Sequence, residues 1–553
     1  MTAAKGRRPA LSAALWHADP DPDHVDSTIG DALIRAASRW GDRTALVEGV
    51  VGEHARRWTF EELLEDSIRV ARALLRRFGP GERLAVWAGN GPEWIQLEFG
   101  AALAGLTLVT VNPAFRQAEL SYVLEQSRAS GIVVQPRYRS TELLPMANAV
   151  RDGTQVREVI SLEDWDEFRA AESGARDGLP HVAPRDPAQI QYTSGTTGRP
   201  KGALLSHRGL VANGRWYATV AGAHPNDVWV NPMPLFHTAG CGLVTLGALQ
   251  TGGCHVIPAG FDADLMLDLF EAERGTIMLS VPTMLIRMLE RQADQPRDVS
   301  SWRSATLGGA PVPLDLVLRA QRELGVEVGI GYGQTEASPY ITHTAGGDQD
   351  AETLATVGRP LPGAEVKIIS PSSGEVAGIG ELGEICTRGI CVMTEYFDNA
   401  AATAEAIDAD GWLHTGDLGT MDASGFVRIQ GRLKDMIIRG GENIFPREIE
   451  DVLYTHPGIS LVTVVGLPDA EWGETCAAFV VAADGAQLTE GELDAFCRDR
   501  LASYKVPRSW HFRSELPQTA SGKIQKVVLR EKYLADLAMG STGGSRPSSE
   551  CGP

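Results

Sequence analysis

Residues Tyr192–Gly202 read YTSGTTGRPKG, with three glycines, one proline, four serine or threonine hydroxyls and two cations in eleven positions. Clusters of Ser, Thr and Gly between periodic segments are usually plain loops. The order here argues for more, because hydroxyls and glycines come first and Lys201 comes last. Glycines let backbone N–H groups converge on an anion, hydroxyls donate to its oxygens, and a lysine neutralises its charge. The stretch before it, IQYTS, is strand-like, and the one after it, ALLSHRGLVANG, is able to open a helix. Two common phosphate cradles do not fit. In a G-x-x-x-x-G-K-[ST] loop counted from Gly195, Pro200 stands where the second glycine belongs. In the G-x-G-x-x-G pattern from Gly329, Gln334 replaces the third glycine. A phosphate loop here belongs to another class.

At 553 residues the chain has room for roughly three or four compact units at ~150 residues each. It carries 71 acidic against 51 basic residues, a formal charge of −20. No basic stripe marks a nucleic-acid binder, and the acidity serves solubility. The seven cysteines are an odd number, and none are spaced C-x-x-C. That favours a reducing compartment over a disulfide framework, and it gives no reason to expect zinc. The N-terminus lacks a long apolar core, and the longest apolar stretch, near AALAGLTLVTV, falls well short of the ~20 residues a membrane helix needs. A cytoplasmic protein with no stable membrane insertion is expected, as a monomer or homodimer.

Helix-like and strand-like patches alternate. FEELLEDSIRVARALLRRF precedes RLAVWAG, AELSYVLEQSRAS precedes GIVVQP, ADLMLDLFEAERG precedes TIMLSVP, and LDLVLRAQRELG precedes VEVGIGYG. Repeated units of this kind predict an α/β fold with parallel sheets covered by helices. After about residue 350 the texture turns to short strands and turns, which suggests a small β-barrel unit. The expected organisation is a tail over 1–25, a large domain over 26–431, a hinge at 432–434, a small mobile α+β domain over 435–535, and a second tail over 536–553.

Four more stretches join the loop: NPMPLFHTAG (231–240), GYGQTEAS (331–338), GWLHTGDLG (411–419) and GRLKDMIIRGGENIFPREIE (431–450), the last followed by PQTASGKIQK (517–526). Each has a bland reading. A lone histidine such as His237 is more often a packed core group than a working one. Glu336 alone is a solvated carboxylate, and Asp417 alone is a turn former. The functional readings differ. A glutamate behind a glycine-rich strand end is placed to hold Mg2+ beside phosphates, and Asp417 is able to accept hydrogen bonds from vicinal ribose hydroxyls.

Taken in this order, YTSGTTGRPKG, YGQTE, TGD, GRLKD and ASGKIQK resemble the adenylate-forming superfamily of acyl-CoA synthetases, carrier-loading adenylation domains and luciferases, over about residues 30–532. RGICVM, KDMIIRGGENIFPREIED and SGKIQKVVLRE are most similar to its medium-chain fatty acyl-CoA synthetase branch. The resemblance implies a role for each matching position. Thr193, Ser194, Gly195, Thr196, Thr197, Gly198 and Lys201 take the pyrophosphate end of ATP. Glu336 holds Mg2+ and Thr335 touches the α-phosphate. Tyr332 stacks on adenine within Gly331, Gly333 and Gln334, while Gly309, Ala310 and Pro311 line the base. Gly331 departs from the Asp or Asn of many relatives, so it offers adenine no side-chain contact. Asp417 and Arg432 bind ribose, His237 gates the acid pocket, and Lys523 bridges the carboxylate and the α-phosphate. The resemblance further implies a hinge at Lys434, whose rotation exchanges Lys523 for a pantetheine-facing surface of Gly440, Gly441 and Glu442.

The implied activity is an ATP-dependent acid:CoA ligase that adenylates a medium-chain fatty or aryl acid, releases pyrophosphate and then forms the thioester, with ATP, Mg2+ and coenzyme A. The alternative is an adenylating enzyme that passes its acid, even nitrite, to an amine or a carrier protein. A nucleotide-binding scaffold without catalysis is disfavoured by the intact Lys523 and Glu336. Small residues at 239, 240, 242, 308 and 331 are expected to leave room for the acid, with Trp216 shortening that room.

Overall fold

The computed structural model describes residues 9–19, 25–52, 54–170, 177–193, 199–469, 471–483, 485–518 and 524–540. Ser194, Gly195, Thr196, Thr197, Gly198 and Lys523 lie outside the described residues. The chain forms two compact units, one of residues 1–415 with 419–429 and one of 416–418 with 430–553.

The helix–strand units of the sequence become elements where local signals and burial agree. Thr59 caps the helix Phe60–Leu75: its Oγ1 accepts from the Glu62 N–H, and the Glu62 carboxylate accepts from the Thr59 N–H at 2.8 Å. The apolar face of that helix, including Phe60, Leu63, Ile68 and Leu74, is buried. The strand that follows, Arg83–Trp87, is buried at every position after the first, as an interior parallel strand requires. It sits in a seven-stranded sheet between Thr107–Val111 and Gly131–Val134, parallel to both.

The second large sheet has nine strands. Its centre runs Glu327–Gly333, Ser304–Gly308, Ile277–Ser280, Val228–Val230, Cys254–Ile257 and Thr44–Glu48, all parallel. Antiparallel strands close both sides, with Tyr340–His343 lying beside Glu327–Gly333. The expected small β unit is a five-stranded sheet that includes Glu365–Ile369, Gly383–Arg388 and Leu413–Met421.

Two expectations need correction. ALLSHRGLVANG does not simply open a helix: Lys201–Ser206 is a strand that pairs antiparallel with Pro187–Thr193, and the helix begins at His207 with Ser206 as its cap. The loop thus joins a β-hairpin, with Thr193 opposite Lys201. The N-terminal tail is also not wholly a tail. Leu15–Trp16 pairs with the strand Glu365–Ile369, and Trp16 is buried against the backbone of Gly425. Burying an indole offsets the cost of ordering the short strand.

The second unit is α+β. Its strands Ile459–Asp469 and Gly473–Ala482 form a long antiparallel pair, flanked by Ile437–Arg439, Glu442–Ile444 and Ser509–Phe512, and helices Pro446–Tyr454 and Glu490–Arg498 accompany them. Glu450 is buried and satisfied. Its carboxylate accepts from the Val464 N–H at 2.7 Å and pairs with Lys526 at 2.7 Å.

Candidate active site

The carboxyl ends of the parallel strands in the nine-stranded sheet all reach one edge, which is where open α/β sheets bind ligands. Several of the expected residues follow directly from those ends. After Ser304–Gly308 come Gly309, at φ +75, then Ala310 and Pro311. At the end of Glu327–Gly333 come Tyr332, Gly333 and Gln334, then a single 3-10 turn, Thr335–Ala337. After Val228–Val230 the NPMPLFH segment leads to His237.

The glutamate is not a solvated surface group. Glu336 is 8% exposed, and its Oε1 accepts a 2.6 Å hydrogen bond from the Tyr396 hydroxyl. Tyr396 belongs to the short strand Glu395–Tyr396, which pairs with Lys201–Ser206 through Ala203. The Lys201 ammonium lies 5.1 Å from the centre of the Tyr396 ring. One tyrosine therefore links the last cation of the glycine-rich loop to the glutamate of the YGQTE turn. Burial pushes the Tyr396 hydroxyl well above its usual pKa, and the Glu336 carboxylate beside it does so further. A phenol raised in this way keeps its proton and donates it in the hydrogen bond to Glu336.

The same segment holds the turn from behind. The Met393 N–H donates to the Glu336 carbonyl at 2.7 Å, and the Ser338 hydroxyl donates to the Cys391 carbonyl at 2.7 Å. Within the turn, the Gln334 N–H donates to the Pro339 carbonyl at 2.9 Å. The motif reading missed Tyr396. The one signal for it was its place just after RGICVM, a stretch noted only for its family likeness.

The histidine segment is fastened by two asparagines. Asn231 accepts from the Met233 N–H at 2.9 Å, and Asn90 accepts from the Leu235 N–H at 2.8 Å while donating to the Met233 carbonyl at 3.1 Å. His237 is half-buried, and its Nδ1 accepts from the Ala239 N–H at 3.2 Å. A π-helical turn, Ala239–Thr245, follows, and such turns often mark functional segments. Gly240 is required there, since a methyl at its position would strike the Pro234 carbonyl.

In the second unit Asp417 is 5% exposed and accepts from Arg432 Nε at 3.0 Å. These two residues, expected to share the ribose, are thus brought together. Lys434 lies in a short 3-10 turn, Leu433–Asp435. Gly440 and Gly441 form the two-residue turn between Ile437–Arg439 and Glu442–Ile444, with φ +59 and +89. Positive φ at both central positions is the signature of a type I′ hairpin. The turn alone accounts for both glycines, so their presence is not by itself evidence for the pantetheine-facing role that the resemblance implies.

The donor set at Glu336 fits Mg2+. It is a hard carboxylate oxygen at a strand end, and Mg2+ is commonly held by one or two carboxylates together with substrate phosphates and water. A different grouping lies elsewhere, where Glu384, Cys386 and His414 bring one donor atom each to within 4.8 Å of one another. It spans two strands, so cysteine spacing could not reveal it. Within it the Glu384 carboxylate lies 2.9 Å from His414 Nδ1, an ion-pair geometry.

Comparison with known proteins completes the description. The family model described as AMP-binding enzyme matches residues 33–397, and the one described as AMP-binding enzyme C-terminal domain matches residues 448–523. A mitochondrial protein of Macaca fascicularis named medium-chain acyl-CoA ligase ACSF2 is 34% identical over 547 residues, covering 93% of this chain and 88% of that one. Two solved structures match over nearly their whole length. ATP-bound MatB from Rhodopseudomonas palustris has a TM-score of 0.83 at 29% identity, covering 91% of this chain and 99% of that one. The anthranilate CoA ligase AuaEII, in complex with anthranoyl-AMP, has a TM-score of 0.85 at 25% identity, covering 92% and 98%. With both of its domain models matched in order and a relative of that likeness along almost its full length, this chain belongs to the AMP-binding enzyme family.

Proposed function

We propose that the protein is an ATP-dependent acid:CoA ligase acting through an acyl-adenylate. The observation that carries this reading is the Lys201–Tyr396–Glu336 assembly, in which Glu336 follows the carboxyl end of Glu327–Gly333 in the nine-stranded sheet while Lys201 and Tyr396 come from the seven-stranded sheet. It sets a buried, oriented carboxylate at a strand end where ligands bind in such sheets, with a cation beside it.

In the first step a carboxylate oxygen of the acid attacks the α-phosphorus of ATP, and the bond to pyrophosphate breaks. Anions are brought together, so the site's task is to supply positive charge and geometry. Lys201 and the hydroxyls of Thr193, Ser194, Thr196 and Thr197 take the pyrophosphate end, with Gly195 and Gly198 offering backbone N–H groups. Thr335 donates to the α-phosphate, and Lys523 neutralises the charge that builds between the carboxylate and phosphorus. Glu336 is the residue that holds Mg2+, and when bound that ion offsets charge on the phosphate oxygens. Tyr332, with Gly331, Gly333, Gln334, Gly309, Ala310 and Pro311, frames adenine, Asp417 and Arg432 hold the ribose, and His237 gates the acid. In the second step the CoA thiol attacks the acyl carbon and AMP departs. The second unit turns at Lys434 between the steps, and Gly440, Gly441 and Glu442 face the pantetheine arm.

The acid is a medium-chain fatty or aryl carboxylic acid. A relative named as a medium-chain ligase and a structural neighbour holding an aromatic acyl-adenylate support that choice. A cytoplasmic place in fatty acid metabolism fits the cysteine usage, and among the described residues no helix is long and apolar enough to cross a membrane. The deciding experiment measures pyrophosphate release over a panel of acids, with and without CoA and with and without Mg2+. CoA-dependent AMP release with hexanoate, octanoate or a benzoate is the expected result. Turnover only with an amine as acceptor, or with nitrite as the acid, overturns the ligase reading.

A further inference from the structure

The grouping of Glu384, Cys386 and His414 has no role in the reaction proposed above, and its donors are those of a metal centre. Glu384 and Cys386 stand two apart on the strand Gly383–Arg388, so their side chains leave the same face of the sheet. His414 is on the neighbouring strand, Leu413–Met421. The three side chains thus converge from a sheet rather than from a loop, which holds donors more precisely. All of them lie in the first compact unit. Cys386 is buried, whereas Glu384 and His414 are partly exposed and leave an ion a way in.

The donor atoms are close enough to share one ion. His414 Nδ1 lies 2.9 Å from Glu384 Oε2 and 3.7 Å from Cys386 Sγ, and no two of the three donors are more than 4.8 Å apart. Zinc–ligand bonds of about 2.0–2.3 Å at tetrahedral angles place neighbouring donors about 3.4–3.6 Å apart. The two His414 distances fall on either side of that spacing, so small side-chain rotations complete the arrangement.

The histidine is also turned the right way. Asp408 Oδ2 lies 3.6 Å from His414 Nε2. The other oxygen, Oδ1, accepts from the Asp410 and Trp412 N–H groups at 2.9 Å each, which fixes the carboxylate. A carboxylate on that side favours the tautomer protonated at Nε2 and leaves the Nδ1 lone pair aimed at Glu384 and Cys386. Two acceptors, Nδ1 and the Glu384 carboxylate, then face each other and need a cation between them. A proton meets that need as an imidazolium, and a metal ion meets it while also taking up the Cys386 thiolate. One cation stands nearby: Lys367, opposite Cys386 in register, with its ammonium 4.3 Å from the centre of the Trp412 ring. Two carboxylates and a thiolate outweigh it.

We propose that Glu384, Cys386 and His414 form a Zn2+ site, with Asp408 holding the histidine tautomer and the fourth position left to a small ligand from solvent. Sulfur, nitrogen and oxygen donors together select zinc over Mg2+, which takes oxygen. The site is separate from Glu336, and it does not depend on the ligase reading.

The test titrates Co2+, a spectroscopic stand-in for Zn2+, into metal-freed full-length protein. One equivalent is expected to give tetrahedral d–d bands together with thiolate-to-cobalt charge transfer, and excess Zn2+ is expected to bleach both. Cobalt held by Glu336 has no thiolate and gives no such charge transfer. Cys386→Ser and His414→Gln are expected to lose the charge-transfer band, whereas Cys254→Ser and Cys551→Ser keep it. Asp408→Asn retains the Oδ1 acceptor and is expected to weaken Zn2+ binding by about tenfold or more, measured by competition with a chelating dye. Thermal melts establish that each variant is folded, and should Cys386→Ser not fold, the partly exposed His414→Gln decides. No charge-transfer band in the wild type, or a band that persists in folded Cys386→Ser or His414→Gln, overturns the site and leaves an imidazolium between two carboxylates. Wild-type Zn2+ affinity in Asp408→Asn overturns the part assigned to Asp408.

Discussion

Tyr396 shows how a single side chain turns a sequence motif into a site. Its hydroxyl supplies a 2.6 Å hydrogen bond to Glu336, and its ring lies beside Lys201. A hydrogen bond to a charged group is worth about 1.5–3 kcal/mol, and its loss leaves the carboxylate unoriented. Tyr396→Phe should therefore slow ATP–pyrophosphate exchange by about tenfold or more while the thermal melt moves little, since the ring still packs. Exchange at the wild-type rate would show that the tyrosine does not orient Glu336. Lys523 poses the complementary case. If it meets charge only in the first transition state, Lys523→Ala should cost adenylation on the order of 10²–10³. Transfer to CoA from a supplied acyl-adenylate should continue, and equal damage to both half-reactions would remove the lysine from its role. Glu336 was legible in the sequence because its motif is local. Tyr396 was not, because its role arises from the pairing of residues about 190 positions apart, Ala203 with Tyr396, a tertiary contact that no local pattern encodes.

At the scale of elements, periodicity reported well what each segment becomes and poorly what it pairs with. FEELLEDSIRVARALLRRF and RLAVWAG gave the helix Phe60–Leu75 and the strand Arg83–Trp87, since apolar spacing and the Thr59 cap are written locally. Lys201–Ser206 reads just as well as a helix start, and only its pairing with Pro187–Thr193 makes it a strand. The turn at Gly440 and Gly441 shows the same limit. The family resemblance implied a pantetheine-facing surface here, whereas the backbone shows a hairpin turn that needs glycine for its own sake. The two glycines nonetheless differ. A methyl at Gly440 would meet the Trp472 ring at 2.7 Å, while nothing lies within 4 Å of one at Gly441. Asparagine tolerates positive φ, so Gly441→Asn adds bulk without unmaking the turn. If CoA passes there, thioester formation should fall by about tenfold, as a filled contact surface discriminates. Pyrophosphate exchange should hold at its wild-type rate. Unchanged thioester formation in a folded Gly441→Asn protein would leave the glycines with the hairpin alone.

At the scale of the whole molecule, two reactions with different needs are carried by one chain of two compact units. Adenylation needs a lysine at the α-phosphate, and thioester formation needs a route for a thiol to the same acyl carbon. Under the roles proposed above, both demands fall on residues of the second unit, Lys523 and the Gly440–Gly441 turn. The reorientation proposed above would act in the backbone near the boundary at 429/430. Lys434 sits there, in the one-turn 3-10 segment Leu433–Asp435, exposed and outside any long helix or sheet interior. Proline at 434 would fix φ near −65° and bias Leu433 toward extended backbone, restricting two neighbouring residues at once. Lys434→Pro should then keep ATP–pyrophosphate exchange and lose thioester formation by on the order of tenfold or more, as expected when a gating motion is blocked. Lys434→Ala removes the same charge but keeps backbone freedom, and it should retain both rates. If Lys434→Ala loses thioester formation as fully as Lys434→Pro, the lysine side chain matters rather than the backbone. If Lys434→Pro retains both rates, the reorientation is absorbed elsewhere in the chain.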